Sequence, residues 1–244
     1  MHELSWSARE LRRRTFLRVA GGTAASAALV LAGCGSKDTP TPTPNYKFTA
    51  NDTGQLNYFY LLEQLLVAYY QQVLAANPSG LQLGELDVLS DLRDHHVVHL
   101  QTLYAALGNV PLIGSVGSTT PSTTTPSTTA ATYVFSGLTL NTRTGLLSGA
   151  QLLEDQVLAA FNFSLPLLSS LDNLNLLVKM AAAQARHAAT VRDLLDPTTL
   201  AAPDVPAVNG PDGLAATATP TATLAVLTPY ITGVTIDVSL LPIA

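Results

Sequence analysis

The sequence predicts an all-α protein, a four-helix bundle with a long connection between its second and third helices and a small irregular or β extension at the C-terminal end. Four segments carry apolar residues at alternating steps of three and four, which places them on one face of a helix. Turn-forming residues such as Asn77-Pro78-Ser79-Gly80 separate the first two segments. A Ser/Thr/Pro-rich run at residues 118–126 makes the central connection long enough to cross the bundle from end to end.

Capping and terminating residues set the limits of the helices. Asp52 or Thr53 is expected to cap the first helix, and Asp172 the fourth. Gly108 is placed to end the second helix in the left-handed conformation, and Pro166 must end or kink the third. The predicted helices are residues 52–76, 85–107, 144–165 and 172–195, within a bundle domain at 51–196.

The C-terminal residues 197–244 read as a low-complexity tail, poor in charge and rich in Ala, Thr and Pro. One part of the tail is patterned, since Val234, Ile236, Val238 and Leu240 alternate with polar residues. Such alternation predicts a half-buried strand. Residues 133–135 in the central connection are its expected partner.

Six polar residues interrupt the apolar stripes at positions that should face the core. They are Glu63 in helix one, His96 and His99 in helix two, Glu154 in helix three, and Gln184 and His187 in helix four. Glutamate and histidine projecting inward from four helices are the side chains from which bundle proteins build metal sites. These six residues are therefore the candidate metal ligands.

The sequences around these residues resemble exported ferritin-like proteins of the bacterial desiccation-related kind. The resemblance covers residues 51–195 and is carried by Leu61-Leu62-Glu63-Gln64-Leu65, Asp94-His95-His96-Val97-Val98-His99-Leu100, Leu152-Leu153-Glu154-Asp155 and Ala183-Gln184-Ala185-Arg186-His187. It implies a ferritin-like fold and a two-metal site, in which two helices each supply a Glu and the other two each supply Glu-x-x-His. Glu63, His99, Glu154 and His187 keep those roles, whereas His96 and Gln184 replace the two bridging glutamates.

These two replacements change the charge that the site offers to metal ions. Two carboxylates remain in place of four, so two trivalent ions in a buried site would be poorly neutralised. One divalent ion, Fe, Mn or Zn, suits imidazole and carboxylate ligands. The six groups can equally satisfy one another as a metal-free polar layer that fixes the register of the helices. Both interpretations remain open on the sequence alone.

The function expected from this degenerate site is metal binding or a stress-related structural role rather than catalysis. The alternatives are an active di-metal oxidase or peroxide-consuming enzyme of the same fold, and a metal-free interaction scaffold. Redox cycling with two ions needs bridging ligands that hold the ions close together. The loss of both bridging glutamates therefore argues against the enzyme interpretation. His95 and His2 are expected not to be ligands, and the tyrosines to be packing residues.

The first 33 residues read as an export signal. A basic region containing Arg13-Arg14-x-Phe16-Leu17 resembles a twin-arginine signal, and a short apolar stretch follows it. Leu31-Ala32-Gly33-Cys34 resembles a lipobox, which implies cleavage before Cys34 and lipidation of that residue. Residues 34–50, rich in Thr and Pro, are the expected tether. The predicted location is the cell envelope, with a lipid anchor in the membrane.

Charge and composition limit the remaining partners. From Cys34 onward the chain has seven basic and fifteen acidic residues, a net charge of −8. Nucleic-acid binding is not expected, since phosphate neutralisation needs a basic surface. With a single cysteine no internal disulfide can form, so stability must come from packing. A homo-oligomer is compatible with the sequence.

Overall fold

The computed structural model of the protein describes residue 43 and residues 45–113, 131–197 and 216–243. The predicted export signal, Cys34 and the first part of the predicted tether lie outside these residues. The same holds for the middle of the central connection and for the beginning of the C-terminal tail. None of the helices within the described ranges is long and apolar enough to cross a membrane.

Four long helices form the body of the protein. They are α1 (Asp52–Ala75), α2 (Glu85–Ala106), α3 (Arg143–Ser164) and α4 (Leu171–Leu195). A short 3₁₀ turn at Leu165–Leu167 follows α3, where Pro166 prevents the helix from continuing. Gly108 adopts the predicted left-handed conformation after α2, with φ of 65°. The all-α fold class predicted from the apolar stripes is thereby confirmed.

Two of the predicted helix caps were wrong. The side chain of Asn51 caps α1 by accepting a hydrogen bond from the Gly54 amide, and Ser170 caps α4. Asp52 instead accepts hydrogen bonds from the backbone amides of Ser169 and Ser170, at 3.0 and 2.8 Å. A carboxylate can accept hydrogen bonds from the free amides at the start of a neighbouring helix as well as at the start of its own. Asp52 therefore ties the start of α1 to the start of α4.

The helices pack as two hairpins, α1 with α2 and α3 with α4, that face each other across the bundle. The α1 and α3 helices run antiparallel, since Phe59 stacks on Phe161 while Tyr69 donates a hydrogen bond to the carbonyl of Leu146. Because α2 is also antiparallel to α1, α2 and α3 run in the same direction. The central connection therefore crosses the length of the bundle, as its length predicted.

The predicted apolar stripes form the core. Their apolar members are buried, apart from the partly buried Leu194 at the end of α4. The α1 helix is buried on nearly all sides, because the two ends of the central connection lie over it. Tyr133 donates to the side chain of Gln64 at 3.0 Å, and the Leu112 amide donates to Asn57 at 2.6 Å. The connection is thus a cover for α1 as well as a link between helices.

The C-terminal tail adds a fifth helix, which was not predicted from the sequence. This helix, α5 (Pro220–Leu227), begins after the capping residue Thr219 and packs on α3. It buries Leu224 and Leu227 completely or nearly so. The signal was present, since Thr-Pro is a typical N-cap and first-position pair, but the Ala/Thr-rich composition of the tail obscured it. The tail is therefore part of the core packing.

The predicted strand pairing was also wrong. Strand β4 (Thr235–Asp237) pairs in parallel with β1 (Asn45–Lys47), which lies inside the range predicted to be tether. The connection segment β2 (Thr132–Tyr133) pairs instead with β3 (Ile231–Thr232), just before β4. Tyr46 in β1 and Phe48 just after it are buried, so this part of the chain belongs to the folded domain. The alternation of the tail also ends earlier than predicted, since Leu240 is exposed.

Candidate metal centre

The structure brings all six predicted ligands together in one layer across the middle of the bundle. Glu63, His96, Glu154 and Gln184 are fully buried, with 0% exposure, and His187 is 4% exposed. His99 lies at the edge of the layer with 12% of its side chain exposed. The helical spacing that put these residues on the core-facing stripes is what makes them meet.

His96 occupies the centre of this layer. Its Nδ1 lies 2.8 Å from a carboxylate oxygen of Glu63, and its Nε2 lies 3.0 Å from one of Glu154. Glu63 is bound a second time, by Nδ1 of His99 at 3.1 Å. The imidazole ring of His96 therefore bridges the two glutamates that face each other from α1 and α3.

The electrostatics of the layer favour a protonated His96. Burial lowers the pKa of His96, but the carboxylates of Glu154 and Glu63 outweigh burial and raise it to about 10. Burial likewise raises the pKa of Glu63, but His96 and the hydrogen bonds of both histidines outweigh it and hold the pKa at about 2. The pKa of Glu154 is lowered in the same way. Without metal, the centre is an imidazolium ion between two carboxylates.

The α4 side of the layer is less completely hydrogen-bonded. The amide nitrogen of Gln184 donates to the side chain and to the backbone carbonyl of Glu154. Its amide oxygen, and Nδ1 of His187, are buried without a hydrogen-bond partner among the described residues. Burial first, and then the neighbouring histidines, lower the pKa of His187 to about 4. At neutral pH His187 is therefore an uncharged imidazole with an unused buried nitrogen.

Tyr70 belongs to the site, although its sequence position predicted a packing role. Its hydroxyl donates a hydrogen bond to Glu154 at 2.6 Å, and its ring stacks on His96 with centroids 5.6 Å apart. Burial and the nearby carboxylate raise its pKa well above the ordinary value, so it stays a donor. Its place seven residues after Glu63, two helical turns along the same stripe, was the available signal.

His95 was also missed. It was expected not to be a ligand because it lies beside the stripe, and its side chain is in fact exposed. However, its Nδ1 lies 3.0 Å from Nε2 of His187, and the two rings stack. No spacing rule within α2 predicts this contact, because it depends on how α4 packs against α2. His2 lies outside the described residues.

The donors form two groups that could each hold an ion, and the groups share one residue. Glu63, His96 and His99 make the first group, and His96, Glu154 and His187 make the second. Because a neutral imidazole offers one lone pair at a time, the His96 ring can complete only one group at a time. Charge leads to the same number, since one divalent ion balances the two carboxylates while two would leave an uncompensated charge of +2. The residues therefore fit one divalent ion.

Comparison with known proteins agrees with the fold. No curated protein matches the chain. A family model described as a ferritin-like domain matches residues 51–197, the range that contains all four long helices and all six candidate ligands. This match extends over more than half of the 244 residues, and so the chain belongs to the ferritin-like domain family.

Proposed function

We propose that this protein binds one divalent transition-metal ion in a degenerate ferritin-like centre and is held at the cell envelope by a lipid on Cys34. The observation that carries the metal proposal is the position of His96, which lies between Glu63 and Glu154 and is shared by both ligand groups. With the His96 ring in that place, the two carboxylates balance the charge of one divalent ion, and the ring can complete the ligands of one ion. The resemblance of the chain to desiccation-related proteins favours a role under stress.

The second ligand group is the better candidate for the ion. Within the polar layer, Oε1 of Gln184 and Nδ1 of His187 are buried without a partner among the described residues, and Gln184 lies beside Glu154. Buried polar atoms without partners are costly, and a cation would satisfy their lone pairs. His96, Glu154 and His187 would therefore hold the ion, with Gln184 beside them. A bound Fe, Mn or Zn ion would supply Lewis acidity there.

Binding at this group requires His96 to lose a proton. Histidine binds metal as the neutral imidazole, and the pKa of His96 in the metal-free centre is raised to about 10. Each ion bound through His96 should therefore release about one proton near neutral pH. This proton release separates binding at the centre from adventitious binding to exposed histidine or carboxylate.

The metal proposal is tested by elemental analysis and by calorimetric titration of the full chain with Zn²⁺ and Mn²⁺. We expect at most about one tightly bound ion per chain, with proton release seen as a dependence of the heat on buffer ionisation. Glu154→Gln, which keeps the shape but removes the charge, should abolish the tight binding at the buried centre and the proton release that accompanies it. Asp193→Asn, which removes an exposed carboxylate from the neighbouring helix α4, is the control and should bind normally.

Two results would contradict this proposal in different ways. Two tight ions per chain, or rapid oxidation of Fe(II) in stopped-flow absorbance, would favour the di-metal enzyme. No binding, together with thermal unfolding that chelator does not change, would favour the metal-free scaffold. The scaffold has an observation of its own in support, because His96 uses both ring nitrogens within the protein.

The envelope location rests on the leader sequence and has its own test. Changing Arg13 and Arg14 to Lys should leave the full-length precursor in the cytoplasm, because the export machinery recognises the twin-arginine pair. Cys34→Ala should allow export but release the protein from the membrane fraction, and Cys34→Ser should do the same. Fractionation identical to that of the unmodified chain would contradict the lipoprotein proposal.

A further inference from the structure

The α2 and α4 helices enclose a groove of about 440 Å³ that opens to solvent beside the polar layer. Its lining includes His95 and His99 from α2 and His187 from α4. Asp91 and Arg186 are the charged residues of the lining. The groove thus connects two of the candidate ligands of the buried centre, His99 and His187, with the surface.

The residues at the mouth of this groove have the features of a cation site. Nδ1 of His95 and Nε2 of His187 share a hydrogen bond at 3.0 Å, so the two nitrogens are near enough for one metal ion at about 2.0–2.1 Å from each to replace the shared proton. Asp91 and His95 are four residues apart on α2 and so lie on the same helix face, which adds a carboxylate to the lining. Imidazole with carboxylate is a donor set for Zn²⁺, Co²⁺ or Ni²⁺.

We propose that His95 and His187 form an outer binding position for a divalent transition-metal ion, through which the buried centre is loaded. The two nitrogens of His187 make the connection. Its Nε2 faces His95 at the groove, while its Nδ1 is buried and has no hydrogen-bond partner in the described part of the chain. A neutral imidazole offers one lone pair at a time, so the outer and inner positions are alternatives for one ion.

The outer position is argued from the contact between His95 and His187 alone. Its role in loading the buried centre rests on the proposed function. His95 is not a member of either buried ligand group, so it can be changed without removing an inner ligand. Val98 lies on the same helix and lines the same groove, is exposed and has no donor atom. His95→Ala and Val98→Ala are therefore a matched pair of variants.

The first experiment mixes the metal-free full chain rapidly with Co²⁺, whose visible absorption reports its ligands. The unmodified chain should bind in a fast outer phase and a slower inner phase. His95→Ala should lose the fast phase and reach the same final spectrum about tenfold more slowly. Val98→Ala should behave as the unmodified chain. His2 and Cys34 are present in every sample, so their contribution cancels in the differences between variants.

The second experiment isolates the outer position in Glu154→Gln, which lacks an inner carboxylate but retains the groove. In protein labelled with ¹⁵N at its five histidines, Zn²⁺ should shift the NMR signals of His95 Nδ1 and His187 Nε2. Adding His95→Ala to this variant should abolish the shift at His187 Nε2.

The outcomes separate the two proposals. If His95→Ala leaves the Co²⁺ kinetics unchanged, or Zn²⁺ leaves His95 unshifted, the outer position is overturned while the inner centre stands. If the unmodified chain shows a fast phase that depends on His95 but no slow phase, the inner centre is contradicted and the outer position stands. If no Co²⁺ binds, both proposals are wrong.

Discussion

Replacing His96 by leucine should destabilise the metal-free protein by about 3–5 kcal/mol, the range found when one partner of a buried ion pair is removed. The substitution leaves Glu63 and Glu154 buried in the same layer with no cation between them. Thermal unfolding followed by circular dichroism, with chelator present, measures the effect. A loss of this size lowers the melting temperature by on the order of 10 °C in a domain of 150–250 residues.

A compensating variant distinguishes lost charge from lost packing. Adding Glu63→Gln and Glu154→Gln to His96→Leu removes the uncompensated charges and should recover a large part of the stability. If the triple variant is no more stable than His96→Leu alone, then packing rather than charge holds the layer together. A small effect of His96→Leu itself would mean that the ring is not an imidazolium ion.

The same ion pairs predict how stability depends on pH. In the folded chain His96 keeps its proton up to about pH 10, whereas its ordinary pKa is 6.5, so its contribution is full below pH 6.5 and is lost as pH rises to 10. His187 acts in the opposite sense, because its pKa in the folded chain is lowered to about 4. The unfolded chain binds a proton at this residue below pH 6.5 and the folded chain does not, so stability falls as pH falls from 6.5 to 4. Glu63 also loses its contribution as pH falls from 4.5 towards 2. Stability without metal should therefore be greatest near pH 6.5, and the alkaline decline should be absent in His96→Leu.

Restoring the two bridging glutamates should convert the centre into a site for two metal ions. The double variant His96→Glu with Gln184→Glu places four carboxylates against two divalent ions, which balances their charge and rebuilds the bundle template. Without metal its four buried carboxylates should repel one another, so metal should stabilise it more than the unmodified chain. Elemental analysis and melting temperatures with and without Mn²⁺ measure both effects. At 100 times the dissociation constant, a bound ion adds about 2.7 kcal/mol to stability.

The two single variants are the controls for this conversion. Gln184→Glu alone leaves the His96 ring between Glu63 and Glu154, so it should still bind at most one ion. His96→Glu alone provides three carboxylates and an amide and should bind a second ion only weakly. One ion per chain in the double variant would show that the spacing of the helices, rather than the identity of these two residues, sets the number of ions.

The sequence predicted the four helices and their core-facing residues, because both depend on local periodicity. The apolar stripes placed Glu63, His96 and Glu154 on core-facing positions, and four such faces can meet only at the centre of a bundle. The strand partners were mispredicted because β1 and β4 are only three residues long and are paired by the packing of the tail, about which alternation within one strand says nothing. His95 was missed for a similar reason, since its contact is made by a residue of another helix.

The pairing of β1 with β4 has a consequence for the order in which the chain can fold. Asn45 and Thr235 are partners in this sheet, although 190 residues separate them along the chain. Segments that emerge early from the ribosome can form the α1–α2 hairpin at once, but β1 must wait until β4 has been made. Until then Tyr46 and Phe48, which are buried in the folded domain, remain uncovered on the N-terminal side of α1. The synthesis of β4 is therefore the step that allows the domain to close at β1, and a chain that stops before β4 exposes an apolar segment where a chaperone or a protease can bind it.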